Sequence, residues 1–142
     1  MRALFKCEVN EMNSMDAALI ALGGGLGSVG RYWIGLAVGE RYQGHFPLGT
    51  FLINVTGSFL IGYVSVRLGV HWYNRYGHGV MLNAFVVTGV LGGYTTFSSM
   101  QLDAAKLVAD RRGVLAVSYL VLSVLFGLLA ALLGAELARV QG

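Results

Sequence analysis

Only 12% of the 142 residues are charged and 56% are hydrophobic. About 25% of an ordinary soluble domain is charged, so this composition is typical of a membrane protein and leaves no room for a separate soluble catalytic domain. The net charge of +3 comes from Lys and Arg residues scattered among apolar segments, and because they form no basic face we expect no nucleic-acid partner.

The first predicted helix is the apolar run at 17–38. It is long enough to cross a hydrocarbon core about 30 Å thick at about 1.5 Å per residue. A removable signal peptide is the alternative, but the run is longer than a typical signal-peptide core and contains Arg31. We therefore expect the chain to keep this segment as its first transmembrane helix.

Three further apolar runs, at 48–66, 80–100 and 114–138, complete a single domain spanning 1–142. The connection at 103–113 is basic, with Lys106, Arg111 and Arg112. The sequence thus predicts an all-α, multi-pass membrane protein with four transmembrane helices per subunit. The other connections, 40–47 and 69–79, carry side chains suited to the membrane interface, namely Tyr42, His45, Trp72, Tyr73 and Tyr76.

The basic residues are almost evenly divided between the two sides of such a membrane protein. Four crossings place both termini and the connection 69–79 on one side, with five Lys or Arg residues against four on the other. An asymmetry in Lys and Arg normally sets orientation, so this near-balance is compatible with insertion both ways and with an antiparallel pair. It also arises by chance in short chains. The two sets are Arg2, Lys6, Arg67, Arg75 and Arg139, and Arg41, Lys106, Arg111 and Arg112.

Glycines mark the faces on which the predicted helices should approach each other. In lipid, helices associate by close packing, and small residues allow it. The 21 glycines also suggest packing between subunits. Regularly spaced pairs are Gly23 with Gly27, Gly35 with Gly39, Gly89 with Gly93, and Gly127 with Gly134.

The polar residues inside the predicted spans are almost all uncharged. A proton-coupled exporter of the small multidrug type needs a carboxylate in mid-membrane, whereas Asp16 lies only at the edge of the first span. Hydroxyl and amide donors can instead replace the hydration shell of an anion without holding it by a full charge. These residues are Ser28, Asn54, Thr56, Ser58, Asn83, Thr88, Thr95, Thr96, Ser98, Ser99 and Ser123.

The third span combines glycines with a run of hydroxyl residues. Gly89, Gly92 and Gly93 are poor helix formers, and the hydroxyls at 95–99 compete for backbone hydrogen bonds. We expect the third helix to be broken near its middle, where freed carbonyls can hold a small cation. The alternative is a continuous helix whose hydroxyls bond back to the preceding turn.

Three segments carry a resemblance to a known family: GSVGRY at 27–32, GTFLINVTGSF at 49–59 and GVLGGYTTFSS at 89–99. Together, and in this order along four spans, they resemble the CrcB/Fluc fluoride channels. The resemblance implies an antiparallel, dual-topology homodimer in the cell membrane, with two narrow fluoride pores. It also implies a structural sodium ion (Na⁺) at the dimer interface and a role in letting cytoplasmic fluoride leak out of the cell.

The resemblance also implies roles for single residues. Asn54 corresponds to the pore asparagine, Phe97 to the first of two pore phenylalanines, and Tyr119 with Ser123 to the start of a polar track in the fourth span. Backbone carbonyls at two positions would bind sodium, and one arginine would have a structural or electrostatic role. The further positions are Ser98 and Ser99 for a hydroxyl pair beside the ion, Gly92 and Thr95 for sodium, and Arg31 for the arginine.

Two departures from the family pattern stand out. The second pore phenylalanine is Met100 here, a soft thioether in place of an electropositive ring edge. The lower part of the polar track appears as Leu125 and Leu129. Ordinary packing in a membrane bundle is the alternative explanation: an aromatic contact for Phe97, an interhelical hydrogen bond for Asn54, and a helix-contact face for Tyr119 and Ser123.

We therefore expect a passive fluoride channel and not an enzyme, since His45, His71 and His78 lie in connections without spaced acidic or cysteine partners. A small multidrug-type exporter is one alternative. A non-transporting membrane subunit that assembles with a larger partner is another, and it would give no ion flux when purified alone.

The charge balance predicts insertion in both orientations and an antiparallel homodimer. Reporter proteins fused to the C-terminus should therefore be found on both faces of the membrane. One added Lys or Arg in a connection should shift the distribution toward one face. A reporter confined to one face, and unmoved by such additions, would contradict the prediction.

Overall fold

The computed structural model describes residues 14–68 and 82–141, and in this part of the chain the fold is all-helical, which confirms the predicted all-α class. Helices α1 (Ser14–Arg41) and α2 (Leu48–Arg67) come first. Helix α3 is π-wound over Ala84–Leu91 and continues as one α-helical turn, Gly92–Tyr94. Helices α4 (Phe97–Ala109) and α5 (Gly113–Val140) complete the fold. Trp72, Tyr73, Tyr76, His71 and His78 lie outside the described residues.

Two of these helices, α2 and α5, are long and apolar enough to cross a membrane. The third predicted span is divided between α3 and α4, so neither piece reaches that length. Helix α1 is 28 residues long, but glycines and Arg31 interrupt its apolar sequence. The composition of α2 and α5 therefore agrees with a membrane protein.

The helices pack in two close pairs, α2 with α5 and α1 with α3. A Cβ atom on Gly23 would lie 2.5 Å from the carbonyl oxygen of Phe85, and one on Gly27 would overlap the carbonyl of Val90. In the other pair, a Cβ on Gly134 would overlap the carbonyl of Phe59. Glycine is therefore required where these backbones touch, as the spacing predicts.

Not every predicted glycine contact is present. A Cβ atom on Gly39 would meet nothing within 4 Å. Gly35 makes only a looser contact with α2, because a Cβ atom on Gly49 would lie 3.9 Å from the Cα atom of Gly35. Helix α1 also exposes large apolar side chains, including Leu26, Tyr32 and Trp33. This face of α1 is open to lipid or to another subunit.

Helix α4 corrects one sequence expectation, that the third connection begins at 103. The helix continues to Ala109 because Met100, Ala104 and Leu107 recur on one face and are buried with Tyr119 of α5. The chain then reverses in a short turn in which Arg111 adopts a left-handed φ of 59°. Part of the expected connection is thus helical and packs against α5, the fourth predicted span.

Candidate functional site

The predicted break in the third helix lies at Thr95 and Thr96. Both residues are extended, with φ/ψ of −74°/154° and −150°/114°. The amide of Thr95 still donates to the carbonyl of Leu91 at 3.0 Å, which closes the last turn of α3. Helix α4 then begins at Phe97. The alternative of a continuous helix is wrong.

The side chain of Asn54, on α2, bridges the break. Its Nδ2 donates to the carbonyl of Thr96 at 3.0 Å, and the amide of Thr96 donates to its Oδ1 at 2.8 Å. Thr96, only 7% exposed, in turn caps α4 because its Oγ1 accepts from the amide of Ser99 at 3.1 Å. Thr96 was expected only as one of the uncharged donors inside the spans, although threonine is also a favoured N-cap residue.

These bonds release two carbonyls from the helical pattern. In a continuous helix, the carbonyl of Gly92 would accept from the amide of Thr96, and that of Thr95 from the amide of Ser99. Here the Thr96 amide donates to Asn54 and the Ser99 amide donates to the Thr96 hydroxyl. The resemblance implies sodium binding by these two residues, and the break also takes the helical donors from the carbonyls of Gly93 and Tyr94, because Phe97 and Ser98 begin a new helix.

Helix α1 brings two further donors to the break. Arg31 Nη1 donates to the carbonyl of Thr95 and the hydroxyl of Ser28 donates to the carbonyl of Gly93, both at 3.4 Å. Both bonds are long for hydrogen bonds, so they are weak. Arg31 nevertheless places a positive charge beside the break.

A first cleft, of about 480 Å³, lies between α2, the break and α5. It brings together four of the predicted pore residues, Asn54, Phe97, Met100 and Ser123. The ring of Phe97 is 69% exposed, whereas Met100 is 7% exposed and also belongs to the buried cluster between α4 and α5. Phe97 therefore presents its ring to the cleft and to the open surface of the subunit.

Two of the predicted polar-track hydroxyls are buried without partners. Tyr119 is fully buried and Ser123 is 5% exposed, one turn apart on α5. The Tyr119 hydroxyl faces those of Thr50 and Ser123, but neither the Tyr119 nor the Ser123 hydroxyl forms a hydrogen bond of good geometry within the part of the chain that the structure describes. A buried unpaired hydroxyl costs about 1–3 kcal/mol. Buried hydroxyls without partners in a native protein need an explanation, and one explanation is that they bind a transient ligand.

A second cleft, of about 420 Å³, lies on the α1 side and contains Arg31, Ser99, Thr50 and Asp103. The Thr50 hydroxyl donates to the carboxylate of Asp103 at 2.6 Å. Thr50 and Asp103 were not among the predicted site residues, because Asp103 was assigned to a connection. Had α4 been extended, the four-residue spacing from Ser99 to Asp103 would have put both on one helix face.

Leu125, Leu129 and Ser98 all lie outside the two clefts. Leu125 and Leu129 do not continue the polar track, since they are 51% and 54% exposed and line neither of these clefts. The face of Tyr119 and Ser123 repeats every four residues and continues to Gly127 and Ala131, which do line the first cleft. Ser98 is exposed and lines neither cleft, and its hydroxyl lies 3.2 Å from Thr96 Oγ1.

Comparison with known proteins gives consistent matches over most of the chain. The family described as CrcB-like protein, Camphor Resistance (CrcB), matches residues 18–135. A protein named fluoride-specific ion channel FluC 2, from Brucella abortus, is 63% identical over 131 residues, covering 92% of this chain and 100% of its own length. FluC 1 of Brucella melitensis is 66% identical over 123 residues, 87% of this chain and 98% of its own. FluC 2 of Yersinia pseudotuberculosis is 58% identical over 127 residues, 89% of this chain and 99% of its own.

The bridge from Asn54 predicts a measurable change at the break. Asn54→Ala leaves the amide of Thr96 without a partner and removes one donor from its carbonyl, so the free energy of unfolding in detergent should fall by roughly 1–3 kcal/mol. Hydrogen exchange at the Thr96 amide should become faster. Ser65→Ala, which removes an exposed hydroxyl from the same helix, is the matched control and should change neither quantity. Equal exchange at Thr96 in the parent and in Asn54→Ala would rule out the bridge.

Proposed function

The chain belongs to the CrcB family, and on this premise we propose that it is a fluoride-specific ion channel. The observation that carries the proposal is the pair of buried, unpartnered hydroxyls of Tyr119 and Ser123. Ser123 faces the same cleft as Asn54 and Phe97. Tyr119 lines neither cleft and lies in the buried cluster beside Met100. Together these groups supply uncharged donors and a ring edge, which is the chemistry that a small anion requires.

Fluoride is small and strongly hydrated, so a pore must replace its water without holding the ion too tightly. Hydroxyls donate one hydrogen each, and the amide of Asn54 has two, of which only one is donated to the carbonyl of Thr96. The edge of the Phe97 ring is electropositive and adds attraction without a formal charge. Asn54, Phe97, Tyr119 and Ser123 are therefore the proposed pore groups, with Ser99 near the second cleft.

The proposed assembly is an antiparallel homodimer with two pores, crossing the cell membrane four times per subunit and letting fluoride leave the cell passively. Support comes from the balanced charges and from the exposed apolar face of α1. The large exposure of Phe97 also favours an assembly, because a partner would enclose the first cleft and shield its ion path from lipid.

A structural sodium ion fits the residues at the break. The carbonyls of Gly92 and Thr95 have lost their helical donors, and unwound carbonyls at membrane depth are the usual ligands of small cations. In an antiparallel dimer, these carbonyls from both subunits would hold the ion. When bound there, sodium would supply a fixed positive charge that ties the two breaks together.

Fluoride flux in liposomes tests the function. The purified parent should release fluoride and retain chloride, whereas Phe97→Ile should slow fluoride release about tenfold, since the aliphatic side chain keeps much of the bulk but loses the ring edge. Dimer formation should be unchanged. Absent fluoride flux in the parent would support the non-transporting alternative, and equal chloride flux would end the fluoride proposal.

Met100 supplies the matched comparison for Phe97. If the methionine only fills space beside Tyr119, Met100→Phe restores the aromatic pair of the family and flux holds or rises. Met100→Ala should instead mainly reduce stability, by about 2–5 kcal/mol, because it leaves a cavity in the buried cluster. Unchanged fluoride flux in Phe97→Ile would remove the aromatic ring from the mechanism.

The sodium proposal predicts a bound ion at the dimer axis. A well-resolved experimental structure obtained in sodium should show density between the Gly92 and Thr95 carbonyls of the two subunits. The same protein prepared with only a bulky organic cation should lack it. Absence of density in sodium would count against the proposal.

A further inference from the structure

The first cleft extends beyond Ser123, where α5 offers no polar side chain. After Ser123, the residues of α5 that line the cleft are Val124, Gly127, Leu128 and Ala131, and none of them has a polar side chain. On the opposite wall, Ser58 of α2 lines the same cleft, and a Cβ atom on Gly127 would lie 3.4 Å from its hydroxyl oxygen. We propose that Ser58 supplies the hydrogen-bond donor of the fluoride path at this level, and this inference rests on the proposed channel function.

The hydroxyl of Ser58 is available to an ion. It makes no hydrogen bond among residues 14–68 and 82–141, whereas the nearby Thr56 hydroxyl donates to the carbonyl of Leu52 at 2.7 Å. The threonine hydroxyls in the cleft are also engaged, since Thr95 Oγ1 donates to Leu91 and Thr96 Oγ1 donates to Ser99. Ser58 and Ser123 are thus the two hydroxyls of the cleft without a protein partner.

The position of Ser58 continues the proposed path. It lies four residues after Asn54, so both side chains lie on the same face of α2. Ser123 and Gly127 have the same spacing on α5. An ion that leaves Asn54 and Ser123 therefore meets a donor from α2 at the next turn, and the missing side chain of Gly127 leaves room for it.

The neighbouring wall explains why one hydroxyl matters at this level. Ile61, Val124 and Leu128 also line the cleft and can donate nothing to an anion. Without Ser58, fluoride would lose its hydration shell with no replacement along this stretch. Small, strongly hydrated fluoride would be affected more than a larger anion, so Ser58 contributes to selectivity as well as to rate.

Replacing Ser58 tests the inference in the full-length protein in liposomes. Ser58→Ala should slow fluoride release about tenfold, which is the size expected when an anion loses one hydrogen-bond donor. Ser65→Ala, an exposed serine on the same helix, should leave release unchanged. Ser58→Cys keeps most of the volume with a weak donor and should also be slow, so it decides the question if Ser58→Ala assembles poorly.

A second pair of variants separates the donor from its packing. Ser58→Ala combined with Gly127→Ser returns a hydroxyl to this level from the opposite wall, and fluoride release should recover. Ser58→Ala combined with Gly127→Ala fills the same space without a hydroxyl, and release should remain slow. Equal recovery in the two double variants would mean that Ser58 acts through packing and would overturn the inference.

The outcomes also distinguish this inference from the function on which it rests. A parent protein that releases no fluoride would overturn both. A parent that releases fluoride, with Ser58→Ala equally fast, would overturn only the role of Ser58. A tenfold loss in Ser58→Ala that is restored by Gly127→Ser would establish it.

Discussion

The pair of hydrogen bonds between Asn54 and Thr96 is the interaction on which the rest of the site depends. An unwound peptide at membrane depth leaves an amide and a carbonyl that water cannot satisfy, at a cost of several kcal/mol per group. The side-chain amide of Asn54 accepts from the Thr96 amide and donates to the Thr96 carbonyl, which as the N-cap carbonyl also accepts the first hydrogen bond of α4. The bridge thereby fixes where the third span breaks, frees Thr96 Oγ1 to cap α4, and sets the direction in which Phe97 leaves the break.

Helix α2 connects the two halves of the subunit. On one side it packs closely against α5, where Gly134 allows the backbones to touch. On another it meets the break, where a Cβ atom on Gly57 would overlap the side chain of Thr95. The buried hydroxyls of α5 and the bridge from Asn54 therefore keep fixed positions relative to each other, because α2 positions both.

Much of the fold could be predicted from the sequence. Apolar runs identified the helices, glycine spacing identified contact faces on α1 and α3 without showing that the two meet, and the glycine and hydroxyl run identified the break. The location of the break depends on a long-range partner, Asn54, which local propensity does not reveal. The end of α4 was missed because charged residues at 103–110 resemble a connection, although buried Ala104 and Leu107 hold them in a helix. Leu125 and Leu129 were assigned to the wrong face of α5, although the four-residue spacing of Tyr119 and Ser123 already leads to Gly127 and Ala131.

The π-wound segment Ala84–Leu91 affects how this protein can change during evolution. A π-helix holds more residues per turn than an α-helix, so α3 contains more residues than an α-helix with the same number of turns would need. A one-residue deletion there can be absorbed by rewinding the segment, with the break left in register with Asn54. A one-residue deletion between Phe97 and Met100 cannot be absorbed by rewinding, because α4 is a regular α-helix from its first residue. Insertions and deletions among relatives should therefore be tolerated before the break and selected against after it.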